Sequence, residues 1–356
     1  MKTVDLLVVG LGPGGASAAR RAAAAGLNVL AVDRRKVLGE PVQCAEFIPT
    51  PLGRYARAHP VRQQPITGMT TVLPSGAVHR SAFPGLMIDR AEFDRALASE
   101  AESHGAELWH PARLTALDAG GRLATVHRDG RGHRIRYRAL VAADGPHSTV
   151  AARQGLPPLS TVQTRQYTVP LHEPLQDTWI WLSDDYPGGY AWLFPKGNVA
   201  NLGLGVDVRI QRDMKTPLDR LHRELLREGR VGAEIHRRTG GAIPVGGPRE
   251  HLHHGVTLFV GDAAGLTHPI TGAGIAAAVI SGEAAGQAAA AFLDGDVEAL
   301  QGYDEDMHDQ FSAALARAVE RRARLQPLWH TPAALQDGTQ RRGWIAFDEY
   351  FETATA

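Results

Sequence analysis

The chain has 356 residues, with 38 basic and 38 acidic side chains and a formal net charge of +0. That length exceeds one ordinary compact core and points to about two domains, and the charge balance argues against a broadly basic surface, so no nucleic-acid partner is expected. Hydrophobic residues at 44% and charged residues at 21% describe a globular chain, and the single cysteine, Cys44, excludes an intrachain disulfide and makes a cysteine-based metal site implausible.

Only Lys2 precedes the first apolar run, too little for a secretory leader, so a cytoplasmic protein is expected, with peripheral membrane contact left open. Residues 4–9 read as a buried parallel strand leading into Gly10-Leu-Gly12-Pro-Gly14-Gly15. Ala16–Ala25 is a strong helix former with Gly26 at its C′ position, and a second strand ends at Asp33. This strand–turn–helix–strand unit carries a Gly-x-Gly-x-x-Gly fingerprint. Gly10 permits the tight turn, Gly12 lets backbone approach a pyrophosphate, and Gly15 lets helix and strand pack. Asp33 lies 23 positions after Gly10, suited to ribose hydroxyls, and Arg34 beside it is a second cofactor candidate. An acid there favours FAD or NAD over NADP, and this unit alone does not choose between the two.

A helix is expected after Asp89, with Arg90 at its start and Phe93 and Leu97 on its buried face. The basic stretch Arg128–Arg138 reads as the polar face of a hairpin turning at Asp129-Gly130. A strand then runs into Asp144-Gly145. Between 164 and 206 the texture is β: runs at 166–169, 178–182, 190–194 and 199–206 are separated by turn residues. Trp179 and Trp181 alternate along one run, Tyr190 and Trp192 along another, so each pair shares a face. Such a face could wall an apolar substrate site, or the sheet could pack the aromatics on its own core. His251, His253 and His254 read as a solvated loop and no metal site is expected. A strand at 256–260 ends in Gly261-Asp262, followed by His268-Pro269 and Gly272-Ala-Gly274-Ile275, and an alanine-rich helix over 273–293 is expected to be packed rather than membrane-spanning. One more helix is expected over 297–325, after which Pro327, Pro332 and Gly338 break the chain.

The Gly-Asp segment resembles the second FAD-binding motif of the p-hydroxybenzoate-hydroxylase-like flavoproteins. The resemblance implies that Asp262 holds the ribityl chain, with Pro269 and Gly272–Ile275 near the flavin ring. Asp144-Gly145 resembles the same superfamily's Asp-Gly motif, near the pyrophosphate, and Arg90 matches an arginine that approaches the cofactor. Gly188-Gly-Tyr190-Ala-Trp192-Leu-Phe194-Pro-Lys196 resembles the Tyr-x-Trp-x-Phe-Pro-Lys signature of the geranylgeranyl reductase family, and Cys44-Ala-Glu46 its Cys-x-Glu segment. These likenesses run over approximately residues 4–293.

The implied fold is a doubly wound, Rossmann-like α/β FAD-binding domain made of 1–60, 85–154 and 255–295, with an interleaved antiparallel β-sheet substrate domain of 61–84 and 155–254 and a helical C-terminal part, 296–356. The implied activity is reduction of carbon–carbon double bonds in an apolar, isoprenoid substrate by reduced FAD, with NAD(P)H or ferredoxin as donor. Trp179, Trp181, Tyr190, Trp192 and Phe194 are the expected substrate wall. Tyr190, Cys44 and His268 are candidate proton donors among which the sequence offers no geometry to choose. Some family members carry a second cysteine that Cys44 here lacks, and the short C-terminal part leaves room for a substrate smaller than a diterpenoid chain. Two alternatives share the flavin motifs: a monooxygenase or halogenase acting on a small aromatic or heterocyclic substrate, and a flavin-binding redox partner protein with Cys44 as its switch.

Overall fold

The computed structural model describes residues 1–56 and 61–352. By contacts the chain forms two units: Met1–Glu40, Ala91–Ser160 and Pro244–Ala316 make the first, and Pro41–Arg90, Thr161–Ile243 and Arg317–Ala356 the second.

The first unit is built on a parallel sheet. Lys2–Val9 lies between Val29–Val32 and Arg131–Ala142, with Glu107–Trp109 and Thr257–Phe259 added outside them, all parallel. Leu6, Leu7, Leu30, Leu140 and Val141 are fully enclosed, as expected where helices cover both faces of a parallel sheet. The helix Pro13–Ala24 follows the glycine loop, and Gly26 takes φ +88° just beyond it, a left-handed stop open to glycine. The helix Ile275–Asp294 packs on it so closely that a Cβ at Gly282 would come 2.1 Å from the Gly14 carbonyl oxygen. Among the described residues it alone is long and apolar enough to cross a membrane by length and composition. The basic hairpin forms where expected, Leu123–Arg128 pairing antiparallel with Arg131–Ala142 through Asp129 and Gly130, both at positive φ. The histidine segment differs from the expected loop: His253–His254 pairs with Thr257–Phe259, and His251 approaches the Asp304 carboxylate at 3.4 Å.

The second unit is a sheet of nine strands among the described residues, mostly antiparallel. Thr161–Pro170, Val199–Val206, Ala191–Lys196 and Asp177–Trp181 lie side by side. Asp177–Trp181 also pairs parallel with Arg62–Val72, the one departure from an antiparallel sheet among these pairings. The helix Lys215–Arg227 buries Leu218, Leu221 and Leu225 against Leu193, Leu202 and Leu204.

The unit boundaries differ from the expected ones. The segment expected to run 1–60 ends at Glu40, because Phe47–Pro49 pairs with Val78–Ile88 in the second sheet, which carries 85–90 with it. Residues 155–160 and 244–254 join the first unit, where Val245 donates to Ser160 and Arg249 to Pro157 and Ala263. The expected C-terminal part is no unit of its own: the helix Ala299–Leu325 is divided after Ala316. The ends of two expected segments, 57–60 and 353–356, lie outside the described residues.

Candidate functional site

In the first unit the glycines separate into two kinds. A Cβ on Gly10, which has φ +101°, would sit 2.2 Å from the Ala143 carbonyl oxygen, and one on Gly15 would sit 1.9 Å from that of Gly10. Gly14 is likewise closed off, by the Ala278 carbonyl and Val260 at 3.0 Å. These three make room for the protein's own backbone. Gly12 faces nothing within 4 Å, and it begins a helix whose first turn has no side-chain cap. Open space at uncapped helix amides is the arrangement that receives a pyrophosphate. Asp33, 6% exposed, accepts from the Leu11 amide at 2.8 Å and the Arg35 amide at 2.8 Å, so it braces the glycine loop; Arg34 is exposed.

Asp144 differs from its expected place at the cofactor. Its carboxylate accepts from the Ser148 hydroxyl and from the Thr149 and Val150 amides, so it caps the short helix Thr149–Arg153. Burial pushes this carboxyl above its usual range against the pull of those donors. Gly145 beside it has φ +84° with open space at its Cβ position. At the Gly-Asp segment, Gly261 has φ +54° and donates to the Ser281 hydroxyl, a structural task. Asp262 accepts from the Thr267 hydroxyl at 2.6 Å, and a Cβ on Gly274 would lie 3.2 Å from its carboxylate. Gly274 begins the helix Ile275–Asp294, again without a side-chain cap. Asp262, Gly272, Gly274 and Ile275 therefore gather at one helix start, and Pro269 is buried in the loop before it. The open Gly12, two uncapped helix starts and this carboxylate fit an FAD.

His268 shapes that loop. Its Nδ1 accepts from the Ile270 and Thr271 amides, which forces the neutral ring to carry its proton on Nε2. Burial pushes it down to about 4, so it is neutral at pH 7. The sequence did not single out Arg249, 8% exposed, which donates to Pro157 and Ala263 and lies 5.3 Å from the Phe259 ring centre.

The second unit holds a different chemistry on one sheet face. Tyr190, Trp192, Phe194 and Lys196 share it by alternation, and across the ladder so do Gly203, Asn201 and Gln166. The Trp192 indole lies over Gly203, where a Cβ would come within 2.4 Å of the ring, and donates to Gln166 Oε1 at 3.1 Å. Phe47 adds an edge contact to Phe194 at 6.2 Å and stacks on Phe83 at 5.5 Å. Trp344, from the C-terminal segment, meets Tyr190 at 4.8 Å. No periodicity marks Trp344 in the sequence, and it follows three chain breakers. Trp179 and Trp181 correct the expected substrate wall. They stack 6.0 Å apart on the opposite face, against the core beneath the helix Lys215–Arg227, because Trp179 pairs with Leu193 rather than with Trp192.

Beside the aromatic face lies a buried polar cluster centred on Glu46. Its Oε1 accepts from Lys196 Nζ at 2.9 Å and from the Arg90 amide at 2.9 Å; its Oε2 accepts from Lys196 Nζ at 2.9 Å and from Asn201 Nδ2 at 2.8 Å. Glu46 is 4% exposed and has φ +72°. A non-glycine residue held in that region stores on the order of 1–3 kcal/mol of strain, which the surroundings must offset. Cys44 accepts from the Glu46 amide at 3.2 Å. Its thiol is pushed up by burial, with the Arg90 guanidinium pulling it back, and burial likewise pushes the Tyr190 hydroxyl well above its usual range. Arg90 thus belongs, with Cys44 and Glu46, to the second unit. Lys196 and Asn201 were not singled out as site residues; the period-two placement of Lys196 after Tyr190, Trp192 and Phe194 is the signal that finds it.

A glycine-loop parallel sheet with a second Gly-Asp helix start, joined in one chain to an aromatic-faced sheet, defines an FAD-dependent oxidoreductase. Residues 160–242 match the family model of the geranylgeranyl reductase catalytic domain. The chain is 34% identical over 333 residues to digeranylgeranylglycerophospholipid reductase 1 of Methanopyrus kandleri, covering 86% of each, and 34% identical to the digeranylgeranylglycerophospholipid reductase of Methanosphaerula palustris, covering 92% of this chain and 86% of that one. A geranylgeranyl bacteriochlorophyll reductase-like structure from Thermoplasma acidophilum superposes with a TM-score of 0.84 at 27% identity, covering 98% of this chain and 93% of that one. The chain belongs to the geranylgeranyl reductase family of FAD-dependent oxidoreductases. A probable FAD-dependent monooxygenase from Pseudomonas aeruginosa, at 19% identity and a TM-score of 0.71, shares the fold.

Proposed function

We propose that this enzyme reduces carbon–carbon double bonds in the geranylgeranyl chains of a glycerophospholipid. The observation that carries the reading is the aromatic face of Tyr190, Trp192 and Phe194, which lies inside the segment matching the reductase catalytic domain. The curated relatives supply the substrate class. Bound FAD, once reduced, supplies a hydride. An isolated alkene is unactivated, so rate depends on placement, and a flat aromatic surface can hold a prenyl chain in one orientation while excluding water. The second carbon needs a proton. Tyr190 and Cys44 both keep theirs at neutral pH because burial raises them, and both lie at this face. His268 is a poorer donor, being neutral with Nδ1 committed to backbone amides. Electrons come from NAD(P)H or a ferredoxin, consistent with one complete Gly-x-Gly-x-x-Gly unit in the sequence. Incubating the dithionite-reduced holoenzyme with a digeranylgeranyl glycerophospholipid without oxygen should give product heavier by two hydrogens per double bond reduced. Unchanged lipid after full flavin reduction would overturn the substrate assignment.

A further inference from the structure

The Cys44–Glu46 segment is pinned from every side within the second unit. The Cys44 carbonyl accepts from Gln166 Nε2 at 3.1 Å, the Ala45 carbonyl from Asn201 Nδ2 at 3.3 Å, and the Glu46 carbonyl from the Ile88 amide at 2.9 Å. Three of the residues that hold the segment, Gln166, Asn201 and Lys196, belong to the face that carries Tyr190 and Trp192. The Glu46 carboxylate spends all four of its contacts here, on Lys196 twice, on Asn201 and on the Arg90 amide. Such an outlay on a residue at φ +72° is more than packing requires, since the hydrophobic core of this sheet lies on its other face.

We propose that Glu46, locked by Lys196 and Asn201, is the positioning residue of the site, holding the Cys44 thiol against the Arg90 guanidinium beside Tyr190. The Lys196–Glu46 pair acts through the backbone of residues 44–46. The left-handed turn at Glu46 directs its amide at Cys44 Sγ, and the same carboxylate fixes the first turn of the helix Arg90–Ser103 through the Arg90 amide. The charged and titratable groups facing the thiol are Arg90, Glu46 and Tyr190, with Lys196 and Asp89 behind Glu46, Asp89 standing 3.4 Å from Lys196.

Because Cys44 is the single cysteine of the chain, its alkylation by iodoacetamide reads the position of this segment directly. Glu46→Gln removes a negative charge beside the thiol and loosens its enclosure, and both changes favour the thiolate. The variant should alkylate about tenfold faster than wild type at pH 8, one unit's shift of the thiol titration. It should keep its FAD, and its kcat on the lipid should fall at least tenfold with KM within twofold. Lys196→Arg, which keeps the ion pair, should stay near wild type in both readouts, and Lys196→Gln should resemble Glu46→Gln in its kcat. Only the kinetic arm rests on the isoprenoid reading; the thiol arm is read without substrate and stands if that reading fails. A Glu46→Gln protein with FAD bound and an unchanged Cys44 profile would overturn the proposal, as would a rise in KM with kcat preserved. Should Glu46→Gln lose FAD or unfold, Lys196→Arg decides: a wild-type profile supports positioning, and a lost one contradicts it.

Discussion

At the scale of the residue, the glycines divide by what a methyl group would meet. Gly12→Ala adds its Cβ to open space and changes only the helix start, so the apoprotein should lose no more than about 1 kcal/mol in urea unfolding, while the purified protein loses its flavin absorbance. Gly15→Ala drives a Cβ to 1.9 Å from the Gly10 carbonyl and should fail to fold. Equal flavin loss with equal unfolding in both would show that Gly12 is also structural. The fingerprint was legible because its spacing is local. What each glycine does was not, since Gly14 answers to Ala278 and Gly261 to Ser281, both far along the chain. His268 carries a pH signature. Its pKa is about 4 in the folded protein against 6.5 for a solvated ring, so its contribution is complete above pH 6.5 and is lost as pH falls from 6.5 toward 4. That contribution reaches on the order of 3 kcal/mol. Denaturation of wild type and His268→Gln across that range should give a stability difference that shrinks toward acid. A constant difference would place the ring in solvent.

At the scale of the element, alternation assigned aromatic pairs to faces, and the register between strands decided which face each pair took. Ala191–Lys196 and Asp177–Trp181 are neighbours, but Trp179 stands opposite Leu193, and the two aromatic pairs therefore point apart. A single sequence does not print that register. Trp179→Ala should destabilise the protein by about 2–3 kcal/mol through lost packing, with kcat/KM of the folded enzyme within twofold. Trp192→Ala should instead raise KM for the lipid at least tenfold. Urea unfolding and steady-state kinetics on the two variants check both, and a reversed pattern would exchange the roles of the faces. The Cys-x-Glu segment and the aromatic signature were each visible as short strings. Their union through Lys196 and Glu46 was not, because 150 residues separate the partners and nothing in either string names the other.

At the scale of the whole molecule, charge balance, one cysteine and dispersed glycine motifs gave the correct class, and the two-unit organisation follows from interleaved segments. The unit boundaries were less legible, because strand pairing rather than chain position sets them: Phe47–Pro49 and the C-terminal Trp344 both reach the second unit from stretches that sequence reading placed elsewhere. The same fold also occurs in oxygen-using flavoproteins, so the account turns on what oxidises the flavin. The direct measurement is the absorbance of the reduced holoenzyme mixed with a geranylgeranyl lipid under strict exclusion of oxygen. The account predicts that flavin absorbance returns as the lipid gains hydrogen. A flavin that stays reduced until oxygen is admitted, with oxygen or halogen then appearing in the product, would contradict it.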